Sequence, residues 1–289
     1  MVTRCWPVFL LIAAGCGESS TDQAALTKAA ASSEEQRTLT VGDLTYNYVI
    51  VTPTQCQGKS SPVLIALHGR GGSGLRALAD FDLVPEAESK GFILIAPSAQ
   101  YGQWHDLDKD PAQVPEFKFF NKLLDELPKL GGDPSRVYVT GFSNGGGEAL
   151  TLGAHFSNRI AAIGAGGASI GALDAQLVYH TLPPPKRKIP VLLFHGMQDD
   201  VNGYDMSTFT VSMPDAALWW AKQEQGNLTP NHSEIGNGRV LVDEYVGNGA
   251  DIELLSYKDL GHVWPSVEDR ASGLKFNDIL WDFLSKHAL

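Results

Sequence analysis

Six short runs of apolar residues alternate with helical segments, and this alternation constrains the fold more than any other feature of the chain. The runs are residues 63–67, 92–96, 137–140, 161–165, 191–194 and 252–256. Near-continuous hydrophobicity over so short a run is typical of strands that are buried on both faces, as in a parallel sheet. The pattern therefore predicts a layered core rather than a helical bundle.

Helices and one hairpin are predicted around these runs. The segments predicted to be helical are residues 116–127, 145–155, 215–225 and 276–286. Alternating β-branched residues on either side of Gly42 and Asp43 predict an N-terminal β-hairpin over residues 38–52. Strands that alternate with helices are typical of the α/β class, so we expect a mostly parallel central sheet flanked by helices.

The folded part is predicted to be a single domain over residues 37–289. Of the 289 residues 43% are apolar, which suits one sizeable α/β domain and argues against a disordered chain. Three consecutive prolines, residues 183–185, favour an extended surface segment, which we interpret as a loop within the domain. Only residues 169–188 offer enough chain for a small lid, so we expect little or no cap.

The charge of the chain excludes one class of partner. The net charge is −11 and no run rich in Lys or Arg exists, so a nucleic-acid-binding protein is not expected. Asp106, Asp108 and Asp110 superficially resemble a calcium loop, but Pro111 stands where such a loop has glycine. We therefore predict a monomer that uses no metal ion and no cofactor.

Residues 1–15 are predicted to be a lipoprotein signal peptide. Arg4 supplies a positive charge, and the apolar run 6–14 is shorter than the roughly 20 residues that span a bilayer. The run ends in small residues before Cys16, as in the lipobox of bacterial lipoproteins, so Cys16 is the predicted lipidation site of an exported, membrane-anchored or secreted protein. Residues 16–36 are predicted to be a flexible tether. An ordinary cleaved signal peptide is the alternative.

The segment Gly141-Phe-Ser-Asn-Gly145 follows one predicted strand and directly precedes a predicted helix. The pattern G-x-S-x-G in this context is typical of a nucleophile elbow, where small flanking residues allow neighbouring chains to approach closely. Free N–H groups at the start of the helix would face a developing negative charge. Ser143 is therefore the candidate nucleophile, and a glycine-rich loop without chemistry is the alternative.

A serine nucleophile needs a base and an orienting acid, which are expected to follow it at the ends of later strands. His262 comes directly after the last apolar run and is the candidate base. Asp199 follows the run at 191–194 and is the preferred acid, with Asp200 as the alternative. The acid would hold the imidazole tautomer and stabilise the imidazolium after proton transfer.

Two backbone N–H groups are candidates for an oxyanion hole. The segment His68-Gly-Arg-Gly-Gly72 follows the first apolar run, and its glycines allow a close approach to a substrate. We predict that the N–H groups of Arg70 and Asn144 stabilise the oxyanion. His68 is interpreted as a structural histidine bound to the loop backbone.

Three aromatic residues are candidates for the walls of a substrate cleft. Tyr101, Trp104 and Trp264 lie near predicted strand ends, and aromatic faces stack on rings or sugars. Packing in the core is the alternative for each of them.

The chain resembles the secreted polyhydroxybutyrate-depolymerase and feruloyl-esterase-like branch of the α/β hydrolases over roughly residues 37–287. The matching segments are ALHGRGG at 66–72, RVYVTGFSNGG at 136–146, PVLLFHGMQDD at 190–200 and GHVWP at 261–265. The resemblance implies an α/β-hydrolase fold. It also implies the roles named above for the candidate residues: nucleophile Ser143, base His262, acid Asp199 and oxyanion donors Arg70 and Asn144.

The chain departs from the pattern of this branch at three places. Arg70 stands where members often have a small residue or cysteine, His105 where they have Asn, and Val201-Asn202 where they have Val-Pro. The resemblance implies hydrolysis of a carboxylic ester through an acyl-enzyme, with plant cell-wall esters and polyhydroxyalkanoates as candidate substrates. A phospholipase or peptidase on the same scaffold, and a non-catalytic surface-binding lipoprotein, are the alternatives.

Overall fold

The structure, a computed structural model, describes residues 32–106, 114–173, 179–205, 211–225, 227–246, 251–265 and 273–289. The predicted signal peptide, the lipidation site Cys16, and Asp108 and Asp110 of the calcium-like segment lie outside these ranges. The strands within them are β1 (Ser32–Val41), β2 (Leu44–Pro53), β3 (Ser61–Leu67), β4 (Ile93–Pro97), β5 (Gly132–Phe142), β6 (Ala162–Gly166), β7 (Gly171–Leu173), β8 (Tyr179–Thr181), β9 (Val191–Gly196), β10 (Asn231–Ile235), β11 (Val240–Tyr245) and β12 (Ile252–Tyr257).

Ten of these strands form one mixed sheet in the order β1-β2-β4-β3-β5-β6-β9-β12-β11-β10. The central strands from β4 to β12 are mutually parallel, and an antiparallel pair extends each edge. The six apolar runs form the parallel strands, which confirms the predicted mostly parallel sheet. Because these strands are parallel, their carboxyl ends lie along one edge, where loops from different strands meet.

The predicted N-terminal hairpin is formed by β1 and β2, which turn at Gly42 and Asp43. β1 begins at Ser32, which is paired with Pro53, so the predicted tether is too long at its C-terminal end. Residues 33–36 are exposed. They need no apolar alternation, because an edge strand obtains its backbone hydrogen bonds from one neighbour and faces solvent.

The helices of the described residues are α1 (Gly74–Phe81), α2 (Val84–Lys90), α3 (Pro115–Glu126), α4 (Asn144–His155), α5 (Met213–Gln223) and α6 (Phe276–Leu284). The last four confirm the predicted helices to within two residues at each end. The sequence did not predict α1 and α2, because helices this short show too few turns for a clear periodicity. Among the described residues, no helix combines the length and hydrophobicity needed to cross a membrane.

Alternate side chains of the sheet pack against two helical layers. Along β3, Val63, Ile65 and Leu67 join one buried cluster, while Leu64 and Ala66 join the other. Helices α3, α4 and α5 contribute to the first cluster and α1, α2 and α6 to the second. Burial on both faces is the reason that the central strands are continuously apolar.

Two short hairpins complete the fold. β7 and β8 form a separate two-stranded antiparallel sheet between β6 and β9, within the segment 169–188 that was the candidate lid. β10 pairs with β11 at the far edge of the main sheet. Its residues are mostly exposed, which is why no apolar run marks it in the sequence.

Candidate active site

Ser143 lies in the sharp turn between β5 and α4. Its backbone has φ 58° and ψ −126°, a conformation that a residue with a β-carbon adopts only under strain. The N–H of Ser143 donates to the carbonyl of Gly166 at 2.8 Å, and the N–H of Gly147 donates to the carbonyl of Ser143 at 3.0 Å. These bonds hold the strained turn between the end of β6 and the first turn of α4.

The two glycines of the pattern are required by close backbone contacts. A β-carbon on Gly141 would overlap the carbonyl oxygen of Gly145, and one on Gly145 would overlap the carbonyl oxygen of Leu67. No side chain could yield at either place, because both obstacles are backbone atoms. Both glycines are therefore required because α4 packs closely against the ends of β5 and β3.

Asp199 and His262 come together from loops that follow β9 and β12. Nδ1 of His262 lies 2.7 Å from Oδ2 of Asp199. Since a carboxylate only accepts hydrogen bonds, Nδ1 carries the proton, and Nε2 of the neutral imidazole is left as an acceptor. Asp200 is exposed, so Asp199 rather than Asp200 is the carboxylate in contact with the histidine.

The carboxylate of Asp199 is held by four neighbours. The N–H groups of Val201 and Asn202 donate to Oδ1 at 2.9 and 2.8 Å, while the rings of His262 and His195 approach Oδ2 at 2.7 and 3.1 Å. Burial by itself raises the pKa of Asp199. The hydrogen bonds from the two imidazoles and the two N–H groups outweigh burial and hold the pKa well below its usual value. The acid is therefore ionised at neutral pH.

His195 is a residue of this site that the sequence analysis did not select. Its side chain is 1% exposed, and Nε2 lies 2.6 Å from the main-chain oxygen of Asn202 as well as 3.1 Å from Asp199. Its position on β9, four residues before Asp199, was the available signal. A lone histidine on a buried strand gives no indication of its partner until the loop after the strand is placed.

His68 has the structural role predicted for it. Nε2 accepts the N–H of Ala99 at 3.0 Å, which leaves Nδ1 to donate to the carbonyl of Gly69 at 2.7 Å. Burial lowers the pKa of His68, and the bond to Gly69 opposes this only in part. A β-carbon on Gly69 would lie 3.5 Å from Cβ of Ser143, so the loop that His68 holds borders Ser143 directly.

The two predicted oxyanion donors belong to Arg70, on the loop after β3, and to Asn144, which directly follows Ser143. Arg70 is exposed and lines the same cleft as Ser143. Asn144 is the first residue of α4, where helix N–H groups have no partner within the helix. Its buried side chain accepts the N–H of Trp104 at 2.8 Å and donates to the carbonyl of Trp104 at 3.1 Å and to Asp106 at 2.7 Å.

The structure places Trp104 and Tyr101 outside the cleft, which corrects the prediction for both. Trp104 is fully buried, and its Nε1 donates to the carbonyl of His68 at 2.9 Å. Tyr101 is 98% exposed at a positive φ of 56° and does not line the cleft. The turn after β4 directs one ring inward and the other outward, which proximity to a strand end cannot reveal. Trp104 instead supports the loop of His68 and the start of α4.

A cleft of about 920 Å³ opens beside Ser143 and His262. Trp264 lines it and stacks on Phe81 with ring centroids 4.0 Å apart. Ser143 and His262 both line this cleft, and in unliganded sites the bond between nucleophile and base often forms only with substrate. The other aromatic residues that line the cleft are Phe142, Tyr257 and Phe276.

Charged residues stand along the same cleft. Arg76 pairs with Asp80 at 2.8 Å and Arg239 pairs with Asp259 at 3.2 Å, while Arg70 is a third guanidinium. Across the ranges that the structure describes, no group of three or more His, Cys, Asp or Glu side chains is arranged to hold a metal ion.

Comparison with known proteins identifies several proteins of similar sequence. No family model matches the chain. A bifunctional acetylxylan esterase/xylanase from Neocallimastix patriciarum is 27% identical over 233 residues, which cover 78% of this chain and 31% of that protein. Feruloyl esterase B from Piromyces equi is 25% identical over 246 residues, which cover 80% and 43% of the two chains. The chain thus spans less than half the length of these relatives.

Solved structures confirm the predicted fold. An acetyl xylan esterase from Aspergillus awamori superposes with a TM-score of 0.62 at 14% identity, over 87% of this chain and 99% of that one. A ferulic acid esterase superposes with a TM-score of 0.55 at 17% identity, over 89% and 98% of the two chains. The fold is therefore the α/β-hydrolase fold, and in sequence the chain is similar to feruloyl and acetylxylan esterases.

Proposed function

We propose that the chain is a serine esterase that cleaves carboxylic esters through an acyl-enzyme on Ser143. The observation that carries the proposal is the 2.7 Å contact between His262 and Asp199 at a cleft that also contains the strained Ser143. An ionised carboxylate, an imidazole that is oriented by it, and a serine on an elbow are the three parts of a hydrolase triad. The sequence relatives named above are esterases, which favours an ester as the substrate.

In the proposed reaction, Nε2 of His262 takes the proton of Ser143 while the hydroxyl oxygen attacks the ester carbonyl. Collapse of the tetrahedral intermediate breaks the bond to the alcohol, and His262 returns the proton to the departing oxygen. Water then attacks the acyl-enzyme with His262 again as the base, which releases the acid and restores Ser143. Asp199 stays ionised throughout and stabilises the imidazolium.

Backbone donors would stabilise the oxyanion. We assign this role to the N–H groups of Arg70 and Asn144, one on the loop after β3 and one at the start of α4. Each such donor lowers the barrier by about 2.7–4 kcal/mol in serine hydrolases, because it is already aimed at the charge that develops. Trp104 holds both elements, since it bonds to His68 through Nε1 and to Asn144 through its backbone.

The walls of the cleft favour an aromatic acyl group. The stacked rings of Trp264 and Phe81, with Phe142 and Phe276, form an apolar surface next to the nucleophile. An acetyl group would leave most of this surface in contact with water, whereas a hydroxycinnamoyl ring would cover it. Among the esters named for its relatives, we therefore propose that a feruloyl-type ester is a better substrate than an acetyl ester. Polyhydroxyalkanoates remain a third, less favoured candidate substrate.

A panel of 4-nitrophenyl esters tests this proposal, since a constant leaving group isolates the acyl contribution. We expect kcat/KM for the ferulate to exceed that for the acetate by about 100-fold, the effect of burying one aromatic ring. The panel includes 3-hydroxybutyrate as the polyester analogue. Equal values for ferulate and acetate would contradict the assignment of the acyl group but leave esterase activity intact.

The alternative functions predict different results in the same kind of assay. A peptidase would cleave matched amides at rates comparable to esters, and a phospholipase would prefer vesicle-borne phospholipids to soluble esters. A non-catalytic binding protein would hydrolyse none of them and would fail to react with a fluorophosphonate probe. Any of these results would overturn the proposed esterase.

We further propose that the chain is exported and lipidated at Cys16. The small residues before Cys16 and the short apolar run at 6–14 support this. Intact mass analysis of the N-terminal peptide of protein expressed in a bacterial host should show a diacylated Cys16, and Cys16→Ser should remain unlipidated. A mature N-terminus at another residue would instead support an ordinary signal peptide.

A further inference from the structure

We propose that His195 and Asn202 form a positioning network that fixes the orientation of Asp199 and, through Asp199, tunes how readily His262 takes up a proton. None of the three residues His195, Asn202 and Asp199 lines the cleft. The inference rests on the proposed esterase function, because it concerns the acid of that triad.

The hydrogen-bond geometry assigns the tautomer of His195. Its Nε2 faces two acceptors, the main-chain oxygen of Asn202 at 2.6 Å and Oδ2 of Asp199 at 3.1 Å, so Nε2 must carry a proton. Its Nδ1 is buried and has no hydrogen-bond partner among the residues that the structure describes. An imidazolium would leave a buried N–H without an acceptor, which is costly. The contacts therefore favour the Nε2–H tautomer for His195, the opposite tautomer to His262.

Asn202 completes the network where the related branch usually has proline. Its N–H donates to Oδ1 of Asp199 at 2.8 Å, a bond that a proline could not make, and its carbonyl accepts from His195. Asp199, Asn202 and His195 thus form a closed ring of polar contacts, in which the single N–H on Nε2 of His195 lies between the carbonyl of Asn202 and Oδ2 of Asp199. The ring fixes both carboxylate oxygens in space, with Oδ1 toward the turn and Oδ2 toward the two imidazoles.

Asn202 also connects the turn of Asp199 to the backbone segment that packs against the His262 ring. The Nδ2 of Asn202 donates to the carbonyl of Gly167 at 2.6 Å. Gly167 has φ 59°, and a β-carbon there would lie 3.2 Å from Cε1 of His262 and 2.7 Å from the ring of Phe142. The position of the acid turn is therefore tied to the backbone on which the His262 ring rests.

His195 and His262 compete for one oxygen of Asp199. An oxygen that is already in contact with the N–H of His195 stabilises an imidazolium at His262 less well. His262 is therefore a weaker base than it would be if Oδ2 of Asp199 contacted His262 alone. Removing the N–H of His195 should therefore favour the protonated form of His262. The acid limb of the pH–rate profile, which requires neutral His262, should move to higher pH.

Several other charged or titratable groups lie near the network. Tyr204 faces His195 with ring centroids 6.1 Å apart, and burial raises the pKa of Tyr204. Asp200, next in the chain to Asp199, is exposed. The charged or titratable groups along the cleft that His262 faces are Arg70, Arg76, Asp80, Arg239, Tyr257 and Asp259. None of these residue types ordinarily changes charge between pH 5 and 8, where histidine does.

Two variants of His195 separate hydrogen bonding from packing. His195→Phe keeps a ring but removes the donor, and we expect kcat to fall about 10-fold with KM little changed and the acid midpoint of kcat/KM to rise by about 0.5 to 1 pH unit. His195→Gln places an N–H near the position of Nε2, and we expect it to restore the midpoint and most of kcat. Thermal unfolding of each variant reports any general loss of stability.

The control is His232→Phe, which removes an exposed histidine that pairs with Asp243 at 2.6 Å on the distant β10–β11 hairpin. It should change neither kcat nor the pH midpoint. The proposal is overturned if His195→Phe leaves the midpoint unchanged, or if His195→Gln shifts it as much as His195→Phe does.

A measurement on the unmodified protein keeps the proposal testable even if a variant fails to fold. Two-bond ¹H–¹⁵N correlation spectra at neutral pH should show His195 as the Nε2–H tautomer and His262 as the Nδ1–H tautomer. An Nδ1–H tautomer at His195, or titration of His195 between pH 5 and 8, would overturn the inference. If the wild type neither hydrolyses esters nor reacts with the probe, the proposed function is contradicted. The tautomers of His195 and His262 still test the hydrogen-bond network in that case.

Discussion

Ser143→Ala is expected to lower kcat by about 10⁴- to 10⁶-fold and to abolish labelling by a fluorophosphonate, because the hydroxyl oxygen forms the acyl bond in the proposed mechanism. KM for the 4-nitrophenyl ester should change little, since alanine leaves the cleft intact. The measurement is steady-state hydrolysis together with the mass of the intact protein after exposure to the probe.

Alanine keeps the backbone of the elbow under the same strain, since the unfavourable φ of 58° affects any residue that has a β-carbon. The unfolding temperature should therefore stay close to that of the wild type. Ser212→Ala is the matched control: Ser212 caps α5 by accepting the N–H of Asp215, so its loss should cost about 1 kcal/mol of stability without affecting labelling. Full probe reactivity in Ser143→Ala would show that another residue is the nucleophile.

The approximate location of the site could be predicted from the sequence because it depends on chain order and strand ends. Ser143, Asp199 and His262 each follow an apolar run that forms a parallel strand, and parallel strands end at one edge of the sheet. The need for glycine in the elbow can also be explained locally, because a β-carbon on Gly141 or Gly145 would overlap backbone atoms. These features are local to the strand and its turn.

Contacts that depend on side-chain direction could not be predicted in this way. Trp104 and Trp264 looked equivalent in the sequence, but the first is buried behind the loop of His68 and the second lines the cleft. The position of His195 four residues before Asp199 could not establish their contact, because that contact depends on how the turn through Asn202 folds back on β9. Such contacts require the loop conformation and not only the strand order.

Asp199→Asn is the second substitution with a large expected effect, and we expect kcat to fall by about 10⁴-fold. The N–H groups of Val201 and Asn202 both donate to Oδ1, so an asparagine must place its carbonyl oxygen there and its NH₂ group toward the histidines. An NH₂ group facing Nδ1 of His262 forces the imidazole into the Nε2–H tautomer. That tautomer cannot accept the proton of the nucleophile.

Asp200→Asn is the matched control for this change, because it alters the same functional group one residue along the chain. Asp200 is exposed, whereas the side chain of Asp199 is fully buried against both imidazoles, so the control should keep kcat within about 3-fold. The pair separates two explanations of a loss of activity. A general electrostatic effect of one fewer negative charge would weaken both variants alike, while tautomer control by a hydrogen-bonded carboxylate weakens only Asp199→Asn. If Asp200→Asn loses more activity than Asp199→Asn, the contact between Asp199 and His262 is not the one that serves catalysis.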